Sequence, residues 1–310
     1  MAILAARSMM KPPLPELAMA YVTRRRFLSG LAASCVSVGV ASALGVPRSA
    51  AARPLDEVME RGRLRVAVYR DFPPFSFQRD GKLVGIDVDL AKAIAEKLGV
   101  KADIYEQIPG ETVSDDLRVA VWRGSLFGGE LADIMMHIPY DKQFGLMNPE
   151  AVLFGPYHHE VFALARDPQR VRSAVLATLP DEPIAVEIDS VPDFFLLGLQ
   201  GGRLRSRVIH CPTPEAAIEK LTSGEAAAVL APLSQVQAAL GARAEQFPVT
   251  TVSLPGMMTS NWNIGMATKE NARDLAYSIG DAVTALTEDG TMGRIFAAYG
   301  VTHTPPPLVE

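Results

Sequence analysis

The sequence predicts an α/β protein built as two lobes, on three observations. Short apolar runs of strand type alternate with amphipathic helical runs. The alternation restarts after residues 152–164. Beyond an N-terminal export segment roughly 258 residues remain, enough for two domains of ordinary size.

Taken in order, Leu55 to Arg61 reads as a short helical turn, and Leu64 to Val68 as a buried strand that ends in the loop Tyr69 to Phe75. Ser76 to Gln78 is a short strand turning at Asp80-Gly81. A helix carries Leu90, Ile94 and Leu98 at helical spacing and is closed by Gly99, with Asp87 and Asp89 expected to cap it. Lys101 to Tyr105 is the next strand, Asp115 to Trp122 a helix, and Ala132 to His137 a strand. Val152 to Leu164 reads as two extended pieces meeting at Gly155-Pro156, a natural hinge. The second lobe follows as strand Ile184 to Glu187, a helix through Phe194 to Leu199 capped by Asp189 or Ser190, and strand Arg207 to His210. Helix Pro214 to Ser223, strand Ala227 to Ala231 and helix Gln235 to Gly241 complete it. Strand Trp262 to Ala267, the amphipathic helix Ala272 to Glu288, a break at Asp289-Gly290 and a last helix Met292 to Tyr299 close the chain. Sheets of this alternating kind bind ligands at the carboxyl ends of their strands, so the loop after Val68 is expected at a crevice.

The N-terminus reads as an address. Thr23-Arg24-Arg25-Arg26-Phe27-Leu28 precedes the apolar run Leu31 to Val46, and Ser49-Ala50-Ala51-Ala52 supplies small residues for cleavage near Ala52. This is the pattern of a twin-arginine signal peptide for export to a bacterial periplasm. An apolar run of about 16 residues rich in Ala, Gly and Ser is short for a membrane span, which needs roughly 20. Of the two cysteines, Cys35 would leave with the signal, so Cys211 has no intramolecular disulfide partner in the exported chain.

Charge narrows the partners. The chain carries 30 Lys+Arg against 35 Asp+Glu, and its first 52 residues hold six of the positives and one of the negatives. The exported body is therefore 24 against 34, a net charge of −10. No basic face is available for nucleic acid, whose binding rests on releasing counterions from the phosphates. A monomer is expected.

The phrase Leu64 to Phe77, the run Gly81 to Leu90, the Ala132-Asp133-Ile134 strand and Pro156-Tyr157 together resemble the family 3 periplasmic solute-binding proteins. So do Ile264-Gly265-Met266-Ala267 followed by Lys269, and Asp289-Gly290-Thr291 before the last helix. The resemblance runs in order along the exported chain. It implies a periplasmic-binding-protein-like fold of type II, two α/β lobes joined by two hinge crossings, with lobe one at 53–156 plus 262–310 and lobe two at 160–255. It also implies the substrate-binding component of an ABC importer, delivering a small solute to a membrane permease.

The pocket departs from the family. Phe72 stands where an aromatic stacks on the ligand. Phe144 stands where an Arg forks the ligand carboxylate in bidentate geometry, with Lys142 nearby. Glu187-Ile188-Asp189-Ser190 replaces the Gly-Thr or Gly-Ser helix start that binds the carboxylate, and Ala231-Pro232 replaces the Asp that receives the ammonium. The ligand is therefore not expected to be a standard α-amino acid. Expected ligand-binding residues are Phe72, His137, Tyr140, Lys142, Glu187, Asp189 and Ser190, with Phe72 and Tyr140 as walls.

Metal ligation has little support, because His158 and His159 are adjacent on a strand and point to opposite faces. No cofactor is expected, since neither a P-loop nor a Gly-rich dinucleotide turn occurs. An enzyme is not expected either: dehydratases on this fold need a general acid and a cation for the substrate, and Lys142 is the one basic residue other than His in the expected cleft. The stretch Pro109 to Gly129 suggests a rim or docking surface. There and at Asp133 to Pro139 the chain also resembles binding-protein relatives that accompany periplasmic quinoprotein alcohol dehydrogenases, the alternative to an importer.

Overall fold

The computed structural model describes residues 55–125, 128–257 and 259–307. The expected signal peptide and its expected cleavage near Ala52 lie outside these. No helix among the described residues is long and apolar enough to cross a membrane.

Helix α1 (Leu55–Arg61) leads into strand β1 (Arg63–Tyr69). The hairpin β2 (Phe77–Arg79) and β3 (Lys82–Val84) is followed by α2 (Ile86–Lys97) and β4 (Lys101–Gln107). A short α3 (Val113–Leu117) runs into a π-turn over Arg118–Trp122 before β5 (Ile134–Pro139), α4 (Lys142–Met147) and the 16-residue β6 (Ala151–Arg166). Then come β7 (Ile184–Glu187), α5 (Val191–Gly198), β8 (Val208–Cys211), α6 (Pro214–Thr222), β9 (Ala228–Pro232), α7 (Leu233–Leu240) and β10 (Val249–Val252). β11 (Asn261–Lys269), α8 (Arg273–Glu288) and α9 (Thr291–Ala298) complete the chain.

The strands follow the order β4-β1-β5-β11-β6-β9-β7-β8, with β10 also paired to β6. β6 is the shared member. Its first part, Ala151 to Val161, pairs antiparallel with β11, whereas Phe162 to Arg166 pair with β9 and Phe162 to Ala165 with β10. The apolar interior divides at the same place. One cluster draws on residues between Val58 and Tyr157 and between Ile264 and Val301; two others draw on residues between Phe162 and Leu254. Trp262 packs against clusters on both sides. On α8 the buried Leu275, Ile279, Val283 and Leu286 keep one face inward, the spacing of an amphipathic helix.

Three expectations need correction. The pieces on either side of Gly155-Pro156 form one strand, and the change of partners comes later, between Val161 and Phe162. Gly155, at φ 52°, instead marks a bulge where the β11 register shifts between Ile264 and Met266. Helix α2 begins at Ile86, so Asp87 lies in its first turn, and its N-cap is Gly85 with no side-chain bond. The helix expected at Asp115 to Trp122 is split by the π-turn, and β10 and α4 were absent from the reading. Of the stretch Pro109 to Gly129, expected as a rim or docking surface, Leu117, Ala120 and Val121 pack inward while Glu111, Arg123, Ser125, Gly128 and Gly129 are exposed.

Candidate functional site

Four parallel strands end on one crevice. The end of β1 continues into Arg70, Asp71 and Phe72, and the end of β4 into Ile108 and Pro109. From the other half come Glu187 at the end of β7, the segment Pro212 to Glu215 after β8, and Gln235 in the first turn of α7. Together they enclose a cavity of about 360 Å³. That is where an open parallel sheet places a ligand, because the strand-to-helix loops diverge there and leave backbone and side-chain groups unpaired.

The first wall is held by local bonds. Phe72 N donates to Ser76 O at 2.7 Å, and Ser76 Oγ donates to Tyr69 O, folding the loop back onto β1. Gly85 sits against this loop at φ 137°, where an added Cβ would overlap the Phe75 carbonyl. Phe72 stacks on Phe75 with ring centroids 5.5 Å apart and meets His137 edge-on at 4.7 Å. His137 Nδ1 lies 3.2 Å from Asp87 Oδ2, and Tyr157 donates its hydroxyl to Asp87 Oδ1 at 2.6 Å. Asp87 is fully buried, so these contacts replace lost water. Burial, then the Asp87 charge and this hydrogen bond, raise the Tyr157 hydroxyl well above its ordinary pKa. The chain of contacts runs from the cavity wall to strand β6.

The second wall is acidic. Glu187 is 5% exposed at the end of β7. Glu215 lies in the first turn of α6, whose N-cap Thr213 accepts from Ala216 N at 3.2 Å. Burial raises the Glu215 carboxyl above its ordinary range, and the nearby Glu187 charge adds to the shift. Gln235 is 3% exposed, and its carboxamide oxygen has no hydrogen-bond partner among the described residues.

Just outside the crevice, at the partner change in β6, Glu160 is 1% exposed. Its Oε1 accepts from Val161 N at 3.1 Å and from Ser234 N, in the first turn of α7, at 3.3 Å. Desolvation outweighs these bonds and holds the carboxyl up at about 7. His158 Nε2 is 3.1 Å from Ser234 Oγ, and burial lowers this imidazole to about 3.

The structure places Phe72 and Glu187 at the cavity and His137 beneath Phe72. Tyr140 and Lys142 line a separate cavity of about 520 Å³ with Asp141, Gly145, Leu153 and Asn263. Asp189 is exposed at φ 58°, its N–H donating to Asp193 Oδ2 at 2.9 Å, and it does not line the cavity. Ser190 is the N-cap of α5: its hydroxyl accepts from Asp193 N and donates to Glu187 O at 2.6 Å. Phe144 is fully buried, so its side chain does not face a ligand. Among the described residues no group of three or more His, Cys, Asp or Glu is placed to hold a metal ion.

Sequence reasoning missed Arg70, Glu215 and Gln235. Lys142 is not the one basic candidate, since Arg70 lines the cavity. Arg70 was findable from its place two residues before Phe72. Glu215 follows the end of β8, where the strand-end rule also applies.

Fold and site together define a periplasmic-binding-protein-like α/β protein, with its crevice at the strand ends of both halves. A solved structure titled an ancestral cationic amino acid solute binding protein (AncCDT-1) has this fold. It superposes with a TM-score of 0.62 at 20% identity, covering 79% of this chain and 99% of that one. Residues 64–118 match the family model of bacterial extracellular solute-binding proteins, family 3, in keeping with the resemblance drawn from the sequence. Seventy residues are 40% identical to the L-cystine-binding protein TcyJ of Escherichia coli (strain K12), covering 22% of this chain and 26% of that protein. Another match, to the cyclohexadienyl dehydratase of Pseudomonas aeruginosa PAO1, is 48% identical over 48 residues, 15% of this chain and 18% of the enzyme. The chain thus aligns with about a quarter or less of the length of these curated relatives.

Proposed function

We propose that this chain is the exported solute-binding component of an ABC-type importer, holding a small polar solute in the 360 Å³ cavity and presenting it to a membrane permease. The supporting observation is that one cavity is lined by the β1 and β4 loops from one half and by the ends of β7 and β8 from the other. A solute there touches both halves, so it stabilises the state that brings them together. We place lobe one at 53–156 plus 262–310 and lobe two at 160–255, with β6 as one crossing. At the two positions where the family clamps an α-amino acid this chain has the buried Phe144 and the apolar Ala231, which supports a ligand other than a standard α-amino acid, met by Arg70, Glu187 and Glu215 from other positions.

Among the predicted ligand-binding residues, Phe72 and Glu187 would contact the solute and His137 would support Phe72. The test is mass spectrometry of solutes carried by the purified exported protein, followed by calorimetry with those solutes. A carried or added solute that binds and is recovered unchanged supports the proposal. A solute converted on incubation would make the protein an enzyme on this fold, and binding of no solute would end the proposal.

A further inference from the structure

Resting on the reading of the cavity as a solute site, we propose that Glu187, Glu215 and Gln235 form a subsite for an ammonium or guanidinium group. The protein then selects solutes that carry one.

Three separate elements bring acceptors to one wall: the end of β7, the first turn of α6 and the first turn of α7. Glu187 and Glu215 line the same wall, the Glu187 charge disfavours that of Glu215, and the wall holds no Lys or Arg of its own. A cation between two such carboxylates relieves their repulsion, whereas a neutral solute leaves it and an anion worsens it. Gln235 supplies the independent sign of a missing donor. It is almost wholly buried at the cavity, with a carboxamide oxygen that no group among the described residues satisfies. Buried acceptors in native folds normally have partners, and an N–H of the solute would be one. Ammonium and guanidinium groups donate several N–H bonds, accept none, and match a wall of acceptors. Arg70 and Asp71 stand on the opposite wall, leaving the cavity lining acidic in balance.

The experiment is calorimetry on the purified exported chain, freed of carried solute by dialysis, with agmatine, putrescine, arginine, the neutral diamide glutaramide and glutarate as probes. At least one cationic probe should bind, glutarate should not, and Glu215→Gln and Gln235→Met should each weaken the cationic probe by about tenfold. Circular dichroism melts show whether each variant is folded, and Glu187→Gln gives a third reading of the same wall. Glutaramide or glutarate binding as tightly as every cationic probe overturns the subsite while leaving the solute-binding proposal standing. Unchanged affinity in folded Glu215→Gln and Gln235→Met also overturns it. Failure of all five probes, with a carried solute that has neither an amine nor a guanidine, overturns the subsite too. Failure of every solute of any charge sinks the wider proposal instead.

Discussion

Glu160 gives the most quantitative prediction. Its carboxyl is removed from water at the point where β6 changes partners, and its pKa stands at about 7 against 4.5 for an exposed glutamate. A carboxyl raised in the folded state carries no penalty below about pH 4.5, a growing one between 4.5 and 7, and the full one above 7. A shift of about 2.5 units at about 1.4 kcal/mol each amounts to roughly 3 kcal/mol. Glu160→Gln keeps an acceptor for Val161 N and Ser234 N but cannot ionise. Urea unfolding of both proteins at about pH 4.5 and pH 8 should therefore show the variant gaining about 3 kcal/mol on the wild type across that interval. The slope belongs to the difference, since His158 and the other groups titrate in both proteins. A gap between the two proteins that does not change with pH would refute the assignment of a neutral buried Glu160.

Other perturbations follow from the same contacts. Gly85→Ala puts a methyl into the Phe75 carbonyl at a positive φ and should destabilise by about 3 kcal/mol or more, seen in thermal melts. Tyr157→Phe takes a donor from the buried Asp87 and should lose about 1–3 kcal/mol in urea unfolding. Asp189→Asn, away from the cavity, should leave solute affinity by calorimetry within about twofold of wild type. Phe72→Leu keeps most of the packing against Phe75 but loses the aromatic wall, so affinity should fall by about tenfold while the melt moves little.

Strands β7 and β9 were readable because they are buried along their whole length and carry apolar runs, as at Ile184 to Val186 and Ala228 to Ala231. The start of α2 was not readable. There Ile86 N and Asp87 N are taken by the carbonyls of Pro74 and Phe75, a tertiary cap that no side-chain pattern announces. Gly155-Pro156 looked like a break because Pro cannot donate to a ladder, yet a bulge in β6 opposite Gly265 leaves that stretch unpaired and the strand continues.

The site divides in the same way. Strand ends pointed to Phe72 and Glu187. Tyr140 and Lys142 were misplaced because Asp141 caps α4 by accepting from Phe144 N, which turns the chain into a helix beside a different cavity. Gln235 reaches the crevice only through the docking of α7 against β6 and β9, information that is not local to its sequence.

Hydrogen exchange, with and without a solute found by mass spectrometry or calorimetry, tests the central claim most directly. Protection should rise together at 70–73 and at 187 and 212–215, because one solute would touch both walls. Protection confined to one wall, or appearing instead at 140–145 around the second cavity, would contradict it.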